Sequence, residues 1–277
     1  VRIGLSTGSL YTYGTERVVA LAAEAGFDGV EILIDDRWDT RQASFLEQLG
    51  QRLPILSLHS PFAWHVSGWE PGQLAHLRQS VALADSLGVD TVVAHLPVRW
   101  RELLIQSSRP SYRFAVPLFV RREPTYRQWL TTELSAYEAE TGVMIAVENM
   151  PLSRLGPIRL NRFHLNAPGQ MGRYPHLTMD TTHLGTWGLD VLDYYERYKA
   201  QIVNIHLANH DGREHRLPWA GQLPLKELVD RLQGDRYEGN LIIELAPDAL
   251  GAGDDSEVRK ALDQCVRFCH AGSSHSD

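Results

Sequence analysis

A chain of 277 residues, 43% of them hydrophobic, is long enough for one well-covered core of the barrel size class and short for two independent domains. Its formal net charge of −7 argues against a general basic surface for nucleic acid, and no stretch of sequence carries the eighteen consecutive apolar residues of a membrane-spanning helix. The two cysteines, Cys265 and Cys269, share a helix face and read as packing residues rather than a disulfide framework or a thiolate zinc site. The chain opens at Val1 rather than a methionine, which leaves a removed leader open; the cytoplasm is the expected compartment.

In chain order, short and nearly continuously apolar runs predict strands over 3–6, 30–34, 55–59, 91–95, 144–148, 177–180, 202–206 and 241–245. Runs of that character suit parallel strands buried on both faces. Between them lie helical stretches with end signals: Thr15 before a periodic run that stops at Gly26, Pro71 before one that stops near Gly88, and Pro124 before one that stops near Gly142. Pro at a helix start and Gly just past its end are the expected asymmetry. Further helices are read over 42–52, 190–199, 225–233 and 256–270, with only a weak candidate at 167–171 between the fifth and sixth strands. Eight strands alternating with helices predict a single (β/α)8 TIM barrel over residues 1–270, followed by a disordered tail over 271–277.

Two connections, 97–123 after the fourth strand and 149–175 after the fifth, are long for a compact domain, and loops of that length are commonly functional. They carry Arg99, Arg101, Arg109, Arg113, Arg121, Arg122, Arg154, Arg159, Arg162 and Arg173 against only Glu102 and Glu123. A locally basic mouth on an acidic protein is one reading, and solvated loop charge is the other.

The ends of the strands carry the chemistry, because barrel enzymes place their sites at the C-terminal face. His59, His95, Glu148, Asp180 and His206 close five strands, and Glu244 lies near the end of the eighth. One polar side chain at a barrel rim is ordinarily hydrogen-bonded structure. Uncompensated carboxylates in an apolar barrel repel one another and cost several kcal/mol each to desolvate, so three of them gathered with three imidazoles on one rim call for a cation. The mixed oxygen and nitrogen donors suit zinc, manganese, cobalt or iron better than calcium.

The segments His59-Ser60-Pro61-Phe62, Val147-Glu148-Asn149, Asp180-Thr181-Thr182-His183, Gly188-Leu189-Asp190, Val203-Asn204-Ile205-His206-Leu207, His215 with Leu217-Pro218, and Ile243-Glu244 resemble the xylose isomerase-like barrel superfamily over nearly the whole chain. That superfamily includes sugar and sugar-phosphate isomerases and epimerases, inosose dehydratase and endonuclease IV, of AP endonuclease family 2. The resemblance implies a shared metal site at Glu148, Asp180, His206 and Glu244, a second site in which His59 and His95 share Glu148, and a third at His183 and His215. The expected count is therefore one to three ions. Where endonuclease IV has the carboxylate completing the third site, this chain has Arg213, with Glu214 beside His215. Met150 to Arg154 also stand where endonuclease IV has a small, glycine-rich stretch, and Ala220-Gly221-Gln222 replace a short glycine-acid-glycine turn common in both branches.

Two activities follow from the resemblance. The first is a divalent-metal-dependent isomerase or epimerase acting on a sugar, polyol or sugar phosphate, with Glu148 and Glu244 as base and acid, His183 on a substrate hydroxyl, and the loop arginines on a phosphate or other anion. The second is an endonuclease IV-like multi-metal phosphodiesterase acting on abasic DNA or a small phosphodiester, the only reading that brings in nucleic acid. A barrel that binds metal or ligand without turnover is the third reading. Phe62, Arg213, Trp187 and Trp219 are expected substrate neighbours, and the outer helices of such a barrel offer faces for homo-oligomer formation.

Overall fold

The apolar runs become strands in the computed structural model, which describes residues 1–63, 65–106, 113–119, 124–155 and 158–271. In chain order they are β1 (Arg2–Ser6), β2 (Gly29–Leu33), β3 (Ile55–His59), β4 (Thr91–Ala94), a hairpin of β5 (Trp100–Gln106) and β6 (Arg113–Phe119), β7 (Met144–Glu148), a hairpin of β8 (Ser153–Leu155) and β9 (Ile158–Leu160), then β10 (His176–Asp180), β11 (Ile202–Leu207) and β12 (Asn240–Ile243). The eight predicted strands are all present. They pair in parallel in the closed order β1-β12-β11-β10-β7-β4-β3-β2, and the ring is sealed by Arg2 to Leu5 against Asn240 to Ile243.

The helices α1 (Thr15–Ala25), α2 (Ala43–Gly50), α3 (Gln73–Leu87), α4 (Pro124–Thr132), α5 (Leu134–Thr141), α6 (Thr181–Trp187), α7 (Val191–Tyr198), α8 (Leu225–Gly234) and α9 (Asp255–His270) fill the connections. The end signals act as read: α1 closes on Gly26 at φ 86°, where the left-handed backbone lets its N–H reach the Ala22 and Ala23 carbonyls. Asp190 and Asp254 cap α7 and α9 through side-chain acceptors. The weak helix after the fifth barrel strand is a single stretch of 3-10 helix, Pro168–Arg173. Sequence patterning left α6 unread, because seven residues beginning directly at a strand end give no amphipathic period.

Both long connections contain antiparallel hairpins rather than irregular loop alone. The β5–β6 hairpin follows the fourth barrel strand and the β8–β9 hairpin follows the fifth, so both rise from the C-terminal face. Arg109, Arg121, Arg122, the side chains of Arg101, Arg113 and Arg154, and all but the first residue of the tail predicted over 271–277 lie outside the described residues. Leu5, Val30, Ile32, Leu58, Val92, Ile145, Val147, Leu177, Ile205 and Ile243 form the buried wall between barrel and helices, joined by Cys265 and Cys269 of α9. Among the described residues no helix is long and apolar enough to cross a membrane.

Candidate metal centre and substrate cavity

Each donor reaches the rim because its strand ends there. Glu148 is the last residue of β7, Asp180 of β10 and His59 of β3; His206 is the penultimate residue of β11; His95 and Glu244 follow β4 and β12 directly. One donor atom from each of Glu148, Asp180, His206 and Glu244 falls within 4.8 Å of every other. Three further groups meet the same spacing: His59 with His95 and Glu148, His59 with His206 and Glu244, and Asp180 with His183 and His215. All eight metal-type residues read from the sequence are thus brought to one place.

The sequence Asp180-Thr181-Thr182-His183 shows how the chain builds this end of the barrel. Asp180 terminates β10 and caps α6, its Oδ1 accepting from the His183 amide at 2.7 Å. One helical turn carries the His183 ring back over the same rim, where Nδ1 lies 3.2 Å from Glu148 Oε1 and 3.5 Å from Asp180 Oδ2. The two threonines fasten the neighbouring strand and loop: Thr181 Oγ1 donates to the Ala208 carbonyl at 2.7 Å and accepts from its amide at 3.0 Å. Thr182 Oγ1 accepts from the His215 amide at 3.2 Å, helping to hold His215 at a φ of 57° that a non-glycine residue seldom adopts. Asn149 clamps β7 to β10 by accepting from the Asp180 amide at 2.9 Å and donating to its carbonyl at 3.0 Å.

His206 is gripped from both sides. Its Nδ1 faces Glu244 Oε2 at 3.0 Å and Glu148 Oε1 at 3.5 Å. Its Nε2 faces Glu31 of β2 at 3.1 Å. Glu31 is wholly buried and also accepts from Ser57 Oγ at 2.8 Å and Asn204 Nδ2 at 3.3 Å. Sequence reading passed over it, although a glutamate inside an otherwise apolar strand was the available signal.

The electrostatics follow from packing carboxylates against imidazoles away from water. Burial alone would raise the Glu148 carboxyl, but the facing rings of His95, His183, His206 and His59 outweigh it and hold the group well below the usual carboxylate range. Glu244 is likewise lowered against burial, chiefly by His206. Asp180 goes the other way, pushed up to about 6 by burial that His183 and His215 only partly offset. Burial would lower His183, yet Asp180 and Glu148 push it up to about 10, and Glu31 and Glu244 carry His206 well above its ordinary value in the same manner. His95 is lowered by burial despite Glu148.

This donor set fits a divalent ion. Glu148 Oε2, Asp180 Oδ2 and His206 Nδ1 are buried with no hydrogen bond of acceptable geometry among the described residues, although His95 Nε2 approaches Glu148 Oε2 to 2.9 Å. Three such atoms on three strands, all aimed at one point, are an expensive arrangement for a protein interior unless a cation joins them. Nitrogen and carboxylate oxygen together suit a first-row transition metal.

The cluster forms the floor of a cavity of about 470 Å³ whose walls include Phe62, Gln73, Val98, Met150, Arg162 and Phe163. That is the size of a small-molecule site. Phe62 is 56% exposed and stacks on His95 at 4.7 Å between ring centroids, so it presents an apolar face at the entrance. Arg213 lines a neighbouring cavity instead. Trp187 and Trp219 line neither: the Trp187 indole donates to the Met150 carbonyl at 2.9 Å, and Trp219 packs against Phe268. Of the loop arginines, Arg159 and Arg162 reach the mouth, whereas Arg173 sits in a separate groove with Leu130, Ser135 and Pro175.

Residues 19–265 match the family model described as xylose isomerase-like TIM barrel. An uncharacterized protein of Mycobacterium tuberculosis is 28% identical over 287 aligned positions, covering 93% of each chain. Among solved structures, a 3-keto-D-glucoside 4-epimerase from E. coli superposes with a TM-score of 0.66 at 17% identity, over 96% of this chain and 99% of that one. A D-allulose 3-epimerase from Methylomonas sp., in complex with D-allulose, gives 0.64 at 15% identity over 98% and 96%. At those identities the structures share the fold.

Proposed function

The chain belongs to the xylose isomerase-like TIM barrel family, and we propose that within it the protein is a divalent-metal-dependent isomerase or epimerase of a sugar or polyol. The observation that carries this reading is the convergence of Glu148, Asp180, His206 and Glu244 on one point at the floor of a sugar-sized cavity. The kinship of the fold with sugar epimerases supports it.

A divalent ion held by those four residues would polarise a substrate carbonyl and acidify the adjacent C–H bond. The protein supplies the proton transfer. Glu148 and Glu244 are both held ionised near neutral pH by the imidazoles around them, so either can take a proton from carbon; the carboxyl so formed can return it to the neighbouring carbon, whereas return from the opposite face requires the other carboxylate first to take a proton from solvent. They stand on β7 and just after β12, on different sides of the barrel rim. Removal from one face of the substrate and return from the other inverts a centre; return to the neighbouring carbon isomerises. His183 extends over the same floor and would hold a substrate hydroxyl. Phe62, Met150 and Phe163 restrict water from the cavity.

The test is deuterium uptake. Metal-loaded protein incubated in D2O with D-fructose, D-allulose or D-tagatose should place deuterium on the carbon beside the carbonyl and yield an epimer or aldose, by NMR. Glu148→Gln and Glu244→Gln should each lower the exchange rate by at least about 10². No exchange with any ketose or ketose phosphate would contradict the reading.

Two of the additional donor groups, His59–His95–Glu148 and Asp180–His183–His215, favour a second reading as a multi-metal phosphodiesterase. Two or three ions per chain with hydrolysis of an abasic-site duplex or of bis(p-nitrophenyl) phosphate would establish it over the first.

A further inference from the structure

Helix α3 turns one stripe inward, and its buried residues are His76, Leu77, Ser80, Val81, Leu83 and Ala84. Counting back three positions from His76 and four from Leu77 places Gln73, the first residue of the helix, on the same stripe at its leading end. An apolar side chain is the ordinary occupant of such a line, so a glutamine there stands out. The chain reaches it through a sharp turn at Gly72, whose φ of 118° and ψ of 150° fall in a region open in practice only to glycine. The His76 amide then donates to the Gly72 carbonyl at 2.9 Å, which starts the helix at the edge of the cavity. Gln73 is part-buried and lines that cavity. Phe62, Ala63 and Val98, which the connections after β3 and β4 also bring to it, are apolar. Among the described residues the Gln73 amide engages no hydrogen-bond partner. Because α3 joins β3 to β4, and the ring order sets that pair across the barrel from β11 and β12, the wall that carries Gln73 faces His206 and Glu244.

We propose that Gln73 is a specificity-determining residue, which hydrogen-bonds the terminal hydroxyl at the end of the substrate remote from the carbonyl. The inference rests on the reading of the protein as a sugar isomerase or epimerase, and identifies the side chain that sorts among its substrates. A ketose with its carbonyl over Glu148 and Glu244 has its other end free to extend toward the β3–β4 side. A hydroxyl both donates and accepts, and so does a primary amide, so the two match in either orientation. Phe62, which stacks on His95, offers its ring to the C–H face of the same chain. An analogue without that hydroxyl leaves the amide unpaired beside an apolar wall, and it is this loss that discriminates.

Steady-state exchange in D2O tests this, with the metal-loaded protein acting on whichever of D-fructose, D-allulose and D-tagatose exchanges fastest and on the 6-deoxy analogue of that ketose. The wild type should favour the parent ketose in kcat/KM by at least about fivefold. Gln73→Met and Gln73→Leu, which both continue the apolar stripe of α3, should raise KM for the parent ketose by about five- to tenfold with kcat moved less than about twofold, and should erase the preference. Equal kcat/KM for the two sugars in the wild type, a preference that survives in both variants, or a loss carried by kcat at unchanged KM would overturn the proposal. If no ketose exchanges, calorimetric titration with D-glucitol decides. Binding that weakens at least about fivefold in Gln73→Met keeps the role of Gln73 and removes only the isomerase reading; no binding, or binding indifferent to the substitution, overturns both.

Discussion

Glu31 lies 3.1 Å from Nε2 of His206, on the side of the imidazole opposite the carboxylates that face Nδ1. The two residues are 175 positions apart, on β2 and β11, and meet across the barrel interior. A carboxylate accepting from one ring nitrogen fixes the tautomer, leaving the other nitrogen as a lone-pair donor, and raises its basicity. Glu31→Ala should therefore weaken binding of Mn²⁺ or Zn²⁺ by about 10- to 100-fold, measured by isothermal titration. Glu31→Gln, which keeps an acceptor for Nε2–H, should lose less. Equal loss in both variants would mean that the negative charge of Glu31, and not its acceptor oxygen, sustains the site, and no loss in either would contradict its role.

Metal affinity should rise with pH. Without metal, His183 is pushed up to about 10 and His206 well above its ordinary value, so both rings carry a proton at neutral pH. Nδ1 of His206 must lose that proton to become a ligand, so binding releases it. The apparent association constant should climb by about tenfold per pH unit for each proton released, between about pH 6.5 and 8.5. Near pH 6 and below, protonation of Asp180, itself raised to about 6, should steepen the fall. A flat profile over this range would contradict the charge states assigned to the cluster.

His59 and His95 distinguish one ion from several. Under the isomerase reading, metal content after purification should be close to one ion per chain and unchanged in His59→Ala and His95→Ala, with the rings serving the substrate instead. A loss of about one ion in either variant would move the assignment toward the phosphodiesterase.

A close approach between two barrel strands gives a stability test. A Cβ at Gly29 would lie 2.5 Å from the Pro54 carbonyl oxygen and 2.5 Å from Leu56 Cγ, where β2 meets β3. Gly29→Ala should cost about 1–3 kcal/mol through overpacking, read as a lower denaturant midpoint. An unchanged midpoint would show that β2 shifts freely.

Much of this architecture was legible because a parallel barrel writes itself plainly: buried strands are apolar runs, and a polar residue closing such a run points at the rim. His59, Glu148 and Asp180 stood out on that ground alone. Glu31 did not, since it sits in mid-strand and its partners Ser57, Asn204 and His206 belong to other strands; only closure of the ring brings them together. The structural work of Thr181, Thr182 and Asn149 was hidden similarly, because their hydrogen bonds run to backbone on neighbouring strands and loops. The hairpins were missed for a different reason: segments dense in arginine suggest loop, while antiparallel pairing depends on a partner segment. Trp187 and Trp219, expected beside the substrate, line neither cavity, and Trp187 meets the first only through its hydrogen bond to the carbonyl of Met150, a wall residue.

The most direct test of the metal centre is elemental analysis of the purified protein beside Glu148→Gln and Glu244→Gln, each confirmed as folded by circular dichroism. The expected result is at least one first-row divalent ion per wild-type chain and loss of most of it in both variants. A wild-type protein without metal that takes up none on titration, or variants that keep the full complement, would contradict the assignment of Glu148, Asp180, His206 and Glu244 as the site.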